Sequence, residues 1–225
     1  MSNPFLDIIQ NGLSHHVNKW AHYLPLYHRH FEKYKLKASP ENKVHLLEIG
    51  VQNGGSLDMW SAYFGAENCI IYGLDVDPAC KALERDNIKI FIGDQVNKEF
   101  LLDLKSKIPP LDIIVDDGGH LMQQQIVSLE TLYDHVKFGG VYLCEDTVTS
   151  YWPNYGGGLN NPATFIEHTK KIIDHLTGYP QVGANSMART CLSIHYYDSM
   201  VFFEKPEALI SHPPAIVWPA KPTKA

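Results

Sequence analysis

The sequence predicts an α/β protein: a Rossmann-like, doubly wound and mostly parallel seven-stranded sheet that closes with an antiparallel hairpin. Three observations predict it. Short apolar runs alternate with segments of helical period from Val44 onward, as expected of repeated βα units. Each run stops at a glycine or an acidic residue, the punctuation of a strand turning into a helix. The last two runs, residues 192–197 and 201–204, are joined only by a short turn at Asp198-Ser199. That is too little chain for a crossover, so they pair antiparallel.

The elements follow in order. Residues 15–37 are helix-compatible and rich in His and aromatics, including His15, His16, Trp20, His22, Tyr23, Tyr27, His28 and His30. Ser39-Pro40 breaks that pattern, because the residue before proline avoids the helical region. Residues 44–49 read as a buried strand closed by Gly50, and 56–64 as a helix. Residues 69–74 form a second strand ending at Asp75, and Pro78 opens the next helix, where its fixed φ is pre-organised. A third strand, 88–92, ends at Gly93-Asp94, and a helix over 100–108 stops at Pro109-Pro110. The fourth strand, 111–115, ends in Asp116-Asp117-Gly118-Gly119. Met122, Ile126, Leu129, Tyr133 and Val136 then recur at helical spacing on one face. Gly139-Gly140 turns the chain into a fifth strand, 141–144, stopped by Glu145-Asp146. A glycine- and aromatic-rich loop, 150–161, leads to a helix over 163–176. Pro206, Pro213, Pro214, Pro219 and Pro222 mark an extended tail. The organisation is an N-terminal helical segment (1–40), an α/β domain (41–205) and the tail (206–225), packed along the surface or on a second subunit.

Composition narrows the function. The length, 225 residues, suits one well-buried α/β domain. A net charge of −6 leaves no basic footprint for nucleic acid or an anionic membrane. No apolar run approaches the roughly 20 residues of a membrane-spanning helix, and the N-terminus has no signal-peptide pattern. Cys69, Cys80, Cys144 and Cys191 show no metal or redox spacing, and three lie in strand-like runs. Buried, reduced thiols in a cytoplasmic enzyme are expected.

The functional signal is acidic. In doubly wound sheets ligands bind outside the carboxyl ends of the strands. Here those ends carry Glu48, Asp75, Asp94, Asp116, Asp117, Glu145 and Asp146. Helix caps account for one or two of them; seven on one edge repel unless cations compensate. The turn after the first strand, Glu48-Ile49-Gly50-Val51-Gln52-Asn53-Gly54-Gly55-Ser56, has Gln52 where a dinucleotide fingerprint needs its second glycine. NAD is therefore disfavoured, and the remaining E-x-G-x-x-x-G-x-S resembles motif I of class I methyltransferases. A sulfonium cofactor has no phosphate, so Gly50 and Gly54 would admit its methionine moiety and Glu48 would face its cationic end. Asp75 is placed for the ribose hydroxyls, and Asp94, with Gln95 beside it, for the adenine amino group. Asn53, Ser56 and Asp116 complete the expected S-adenosylmethionine contacts.

Asp117 and Glu145-Asp146 end two sequential strands, which are usually neighbours. Three oxygen donors there suit a hard divalent cation such as Mg²⁺, and His120 can face the same cavity as a general base. Asp116-Asp117-Gly118-Gly119-His120, Glu145-Asp146 and the early His22-Tyr23 to Tyr27 stretch resemble bacterial sugar O-methyltransferases, including the macrocin and mycinamicin enzymes, cephalosporin-pathway methyltransferase-like proteins and methylmannose polysaccharide methyltransferases. The resemblance covers roughly residues 15–180. It implies a class I methyltransferase fold, metal ligands at Asp117, Glu145 and Asp146, and the base at His120. Catechol-type methyltransferases have Lys where this chain has His120, so a catechol or phenol acceptor is the second reading. A non-catalytic S-adenosylmethionine- or glycan-binding protein is the third, and the costly acidic cluster argues against it. The chain is shorter than the macrolide enzymes, so their acceptor does not carry over. A small glycoside or polysaccharide is expected as substrate, in a homo-oligomer. Tyr23, Tyr27, Tyr151, Trp152 and Tyr155 are the aromatic candidates for a sugar face. The histidines of the first helix keep no common ligand face, and surface or substrate-side positions are expected rather than a second metal site.

Overall fold

In the computed structural model residues 3–177, 187 and 189–209 are described. Among these residues seven strands form one sheet: β1 (Val44–Ile49), β2 (Cys69–Asp75), β3 (Ile88–Ile92), β4 (Leu111–Asp116), β5 (Val136–Cys144), β6 (Ser193–Tyr197) and β7 (Met200–Glu204). Their order is β3-β2-β1-β4-β5-β7-β6. β1 to β5 pair in parallel, and β7 inserts antiparallel beside β5 with β6 outside it. The order reverses between β1 and β4, which opens a crevice at their carboxyl ends.

Among the described residues six α-helices cover the two faces: α1 (Pro4–Gln10), α2 (Tyr23–Lys37), α3 (Gly55–Phe64), α4 (Lys98–Lys107), α5 (Met122–Leu132) and α6 (Phe165–Thr177). Strand side chains alternate between faces, and the buried residues divide accordingly. Leu46, Ile113, Val115 and Leu143 meet Tyr27, Phe31 and Trp60 on the α1–α3 side. Leu47, Ile114 and Tyr142 meet Leu101, Leu129 and Phe165 on the α4–α6 side. Each buried aromatic or aliphatic side chain contributes about 1.5–3 kcal/mol through area removed from water.

The strand boundaries follow the apolar runs closely, with two exceptions. β5 starts at Val136, so Gly139-Gly140 lies within the strand. Gly139 adopts φ +76° where the register against β4 shifts, so a bulge replaces the expected turn. The N-terminal segment differs more. Residues 15–22 form no helix, although their composition is helix-compatible; the His15 backbone N–H goes to the distant Asp58 carboxylate instead. Two shorter helices flank them. The earlier, α1, is capped by Asn3, whose Oδ1 accepts from the Phe5 N–H at 2.9 Å. Phe5 stacks on Tyr63 with centroids 4.0 Å apart, tying the segment to the α3 core. Tail residues 210–225 lie outside the described residues, and with them the expectation for Pro213, Pro214, Pro219 and Pro222. All four cysteines are buried and free. Among the described residues no helix is long and apolar enough to cross a membrane.

Candidate active site

The carboxyl ends of β1–β5 enclose a cavity of about 480 Å³. Its floor is the glycine-rich turn after β1. Asp75 Oδ2 accepts from the Val51 and Gln52 N–H groups at 2.8 and 2.9 Å, so the acid ending β2 holds the turn that follows β1. Gly50 has φ +89°, and a Cβ there would stand 2.1 Å from the Asp117 carbonyl oxygen. Only glycine lets the β1 and β4 turns touch. Gly54, at φ +81°, is the residue from which α3 starts. Asn53, Ser56, Asp75, Asp94 and Gln95 all line the cavity.

A strap over residues 15–19 closes one side. The His15 backbone N–H and its Nδ1 both meet Asp58 Oδ2 at 2.9 Å, fixing the strap above α3. A Cβ on Gly55 would stand 2.3 Å from the His16 carbonyl oxygen, so this glycine serves the strap rather than the turn.

At the mouth, Asp117, His120 and Asp146 each present one ligand atom, all within 4.8 Å of one another. His120 Nε2 lies 3.5 Å from Asp146 Oδ2 and 3.9 Å from Asp117 Oδ1. His120 and Asp146 both adopt the left-handed backbone region, with φ 57° and 52°, an uncommon conformation that the surrounding turns must hold. The Thr149 hydroxyl does so, lying 3.0 Å from the His120 carbonyl and 2.8 Å from that of Asp146.

Beneath the mouth lies a layer that the sequence reading did not anticipate. Lys19, with a side chain only 3% exposed, places Nζ 2.5 Å from Asp117 Oδ2 and 2.9 Å from Glu145 Oε2. Glu48 Oε1 is 3.8 Å away. Burial alone would lower the lysine pKa, but attraction to Asp117, Glu145 and Glu48 carries it well above the ordinary value. Burial pushes Glu48 up to about 7 and Glu145 to about 8 against the pull of Lys19. Lys19 is the first Lys or Arg in the chain, which was the sole sequence signal available.

Four expected contacts therefore belong to this buried layer. Glu48 is fully buried and accepts from the Ser56 hydroxyl at 2.7 Å. Asp116, 1% exposed, accepts from Gln95 and from the Tyr142 hydroxyl, each at 3.0 Å. It supports Gln95, whose Oε1 accepts from the Gly119 N–H, and does not line the cavity. Tyr23 and Tyr27, expected on the acceptor side, are buried too. Their hydroxyls donate to Asp146 Oδ1 at 2.6 Å and Glu145 Oε1 at 2.7 Å, so they orient the carboxylates. Tyr151 and Trp152, the other acceptor-side candidates, are exposed. Tyr155 is packed beside Trp152, with ring centroids 5.8 Å apart.

No protein-family model matches the chain. Three O-methyltransferases are similar to it in sequence. It is 33% identical over 205 residues to demethylmacrocin O-methyltransferase of Streptomyces fradiae, covering 83% of this chain and 50% of that protein. It is 32% identical to the 8-demethyl-8-alpha-L-rhamnosyl tetracenomycin-C 2'-O-methyltransferase of Streptomyces olivaceus (86% and 53% covered). It is 33% identical to the mycinamicin VI 2''-O-methyltransferase of Micromonospora griseorubida (81% and 48% covered). Among solved structures, MycE methyltransferase from the mycinamycin biosynthetic pathway, in complex with Mg and SAH, superposes with a TM-score of 0.75 at 31% identity over 84% of this chain and 51% of that one. The complex of MycE with Mg, SAH and mycinamycin VI gives 0.76 at 30% identity over 90% and 54%. The chain spans about half the length of the relatives it matches, and its fold is the class I methyltransferase fold.

Proposed function

We propose that this chain transfers the methyl group of S-adenosylmethionine to a hydroxyl of a sugar or glycoside, assisted by a divalent cation. One observation carries the reading. A single cavity joins the glycine-rich turn to the Asp117–His120–Asp146 cluster, within the stretch similar to glycoside O-methyltransferases.

The residues fit both groups. The cavity volume falls in the range of about 300–1,000 Å³ typical of small-molecule sites. Asp75 would accept from the ribose hydroxyls while holding the turn, Asp94 and Gln95 would meet the adenine, and Gly50 lets the backbone approach the methionine end. Asp117 and Asp146 are hard oxygen donors suited to Mg²⁺. Glu145, the third expected ligand, is bonded to Lys19 and Tyr27, so it joins a cation only where Lys19 yields its place. When bound, the two groups supply a sulfonium-activated methyl and a lowered pKa for the acceptor hydroxyl.

His120 contributes the proton chemistry. Its Nε2 opens toward the acidic pair, where it would take the acceptor hydroxyl's proton while the methyl passes from sulfur to oxygen and S-adenosylhomocysteine leaves. Tyr23 and Tyr27 hold the carboxylates, and Tyr151 and Trp152 offer aromatic faces to a sugar.

The test is methyl transfer from S-adenosylmethionine to a panel of glycosides, polysaccharides and catechols, read by mass spectrometry with Mg²⁺ and after chelation. Cation-dependent methylation of glycosides is expected. Methylation of catechols alone would move the assignment to phenolic acceptors, and tight S-adenosylhomocysteine binding without turnover would leave a binding protein.

A further inference from the structure

We propose that His30, His195 and Glu204 form a second metal site, selective for a zinc-type ion, that fastens α2 to the outer edge of the sheet. The three side chains come from separate elements, α2, β6 and β7, and each offers one ligand atom within 4.8 Å of the other two. His30 Nδ1 stands 2.9 Å from Glu204 Oε1, and His195 Nε2 stands 3.5 Å from Glu204 Oε2. Zinc bonds of about 2.0–2.2 Å in tetrahedral geometry separate neighbouring ligand atoms by about 3.3 Å. The side chains already lie close to that spacing.

Sheet register explains the convergence. Ser193 pairs with Glu204 and His195 with Phe202, so all four side chains share one face of the hairpin. His30 stacks on Phe202 with centroids 4.0 Å apart, which aims its ring at Glu204. On the far side of that ring, Nε2 lies 3.0 Å from the Tyr197 hydroxyl. A ligating histidine commonly donates its other N–H to such an outer partner. Metal binding at Nδ1 places the ring proton on Nε2, where it donates to Tyr197. The Ser193 hydroxyl, 3.0 Å from His195 Nε2 and 3.2 Å from Glu204 Oε2, borders the position left for a fourth ligand. His30 is buried while His195 and Glu204 are partly open, so an ion can enter from solvent.

Two imidazoles and one carboxylate favour Zn²⁺ over Mg²⁺, whereas the mouth cluster offers two carboxylates, Asp117 and Asp146, and a single imidazole, His120. The site also has a structural reach. Tyr23, Tyr27 and His30 lie on one buried stripe of α2, so an ion at His30 braces the helix whose tyrosines hold Glu145 and Asp146.

The test is calorimetric titration of the chelator-treated full chain with Zn²⁺ in excess Mg²⁺, together with Co²⁺ absorption as a report of nitrogen ligation. One equivalent is expected to bind and raise the melting temperature. His195→Ala and Glu204→Gln should abolish that equivalent, Tyr197→Phe should weaken it on the order of 10-fold, and Asp146→Asn should leave it intact. No binding in excess Mg²⁺, or an equivalent that survives His195→Ala, would show that the cluster is a hydrogen-bonded clamp without an ion.

Discussion

Lys19 Nζ sits 2.5 Å from Asp117 Oδ2, and the same ammonium also meets Glu145. One buried cation thus contacts two of the carboxylates expected to hold a divalent ion. Lysine and metal are rivals for Asp117, and the strap that carries Lys19 becomes part of the site's electrostatics.

Replacing Lys19 by Met leaves Asp117, Glu145 and Glu48 without their internal counter-ion. Breaking a buried pair in this way typically costs about 3–5 kcal/mol. Urea unfolding of Lys19→Met in chelator should show a loss of that order, partly recovered by Mg²⁺. A variant as stable as the parent, with no response to Mg²⁺, would mean that the lysine does not neutralise the site.

Asp75 joins the turn to the proposed ribose contact. Its hydrogen bonds are charge-assisted, each contributing roughly 1.5–3 kcal/mol. Calorimetry should find S-adenosylhomocysteine binding to Asp75→Ala weaker by on the order of 10–100-fold. Undiminished affinity would remove Asp75 from the cofactor contacts.

His120→Ala should lower kcat by about 10²–10⁴-fold, the contribution of a positioned base, with little change in S-adenosylhomocysteine affinity. A collapse of cofactor affinity at unchanged kcat would instead assign His120 to shaping the turn after β4.

Glu48 carries a stability signature in pH. Burial raises its folded-state pKa from 4.5 to about 7, so between those values the folded chain holds a proton that the unfolded chain releases. Its stabilising contribution is complete below about 4.5 and is lost as pH rises through about 7. Chemical unfolding across that window should decline more steeply for the parent than for Glu48→Gln. Parallel pH profiles would refute an up-shifted Glu48.

Legible from residue order were the alternation of strands and helices, the reversed hairpin, the turn at Gly50–Gly54 and the acids at the strand ends. These rest on local signals: side-chain period, glycine where the backbone needs positive φ, and acids where strands stop. The neighbouring strand ends of β4 and β5 also followed, because sequential strands tend to pair. Long-range packing settled the rest. Lys19 reaches its partners across 98 and 126 residues from a segment without regular structure, so no periodicity could aim it. Glu145 and Asp146 are adjacent in the chain, yet the first is buried under Lys19 and the second opens to the cavity, a division made by the left-handed backbone at Asp146. Tyr23 and Tyr27 turned inward because their hydroxyls find those same carboxylates. His30 met His195 and Glu204 only after α2 had docked on the hairpin. Local patterns specify elements and their ends; which charge lies beneath which depends on burial, and burial exists only in the folded chain.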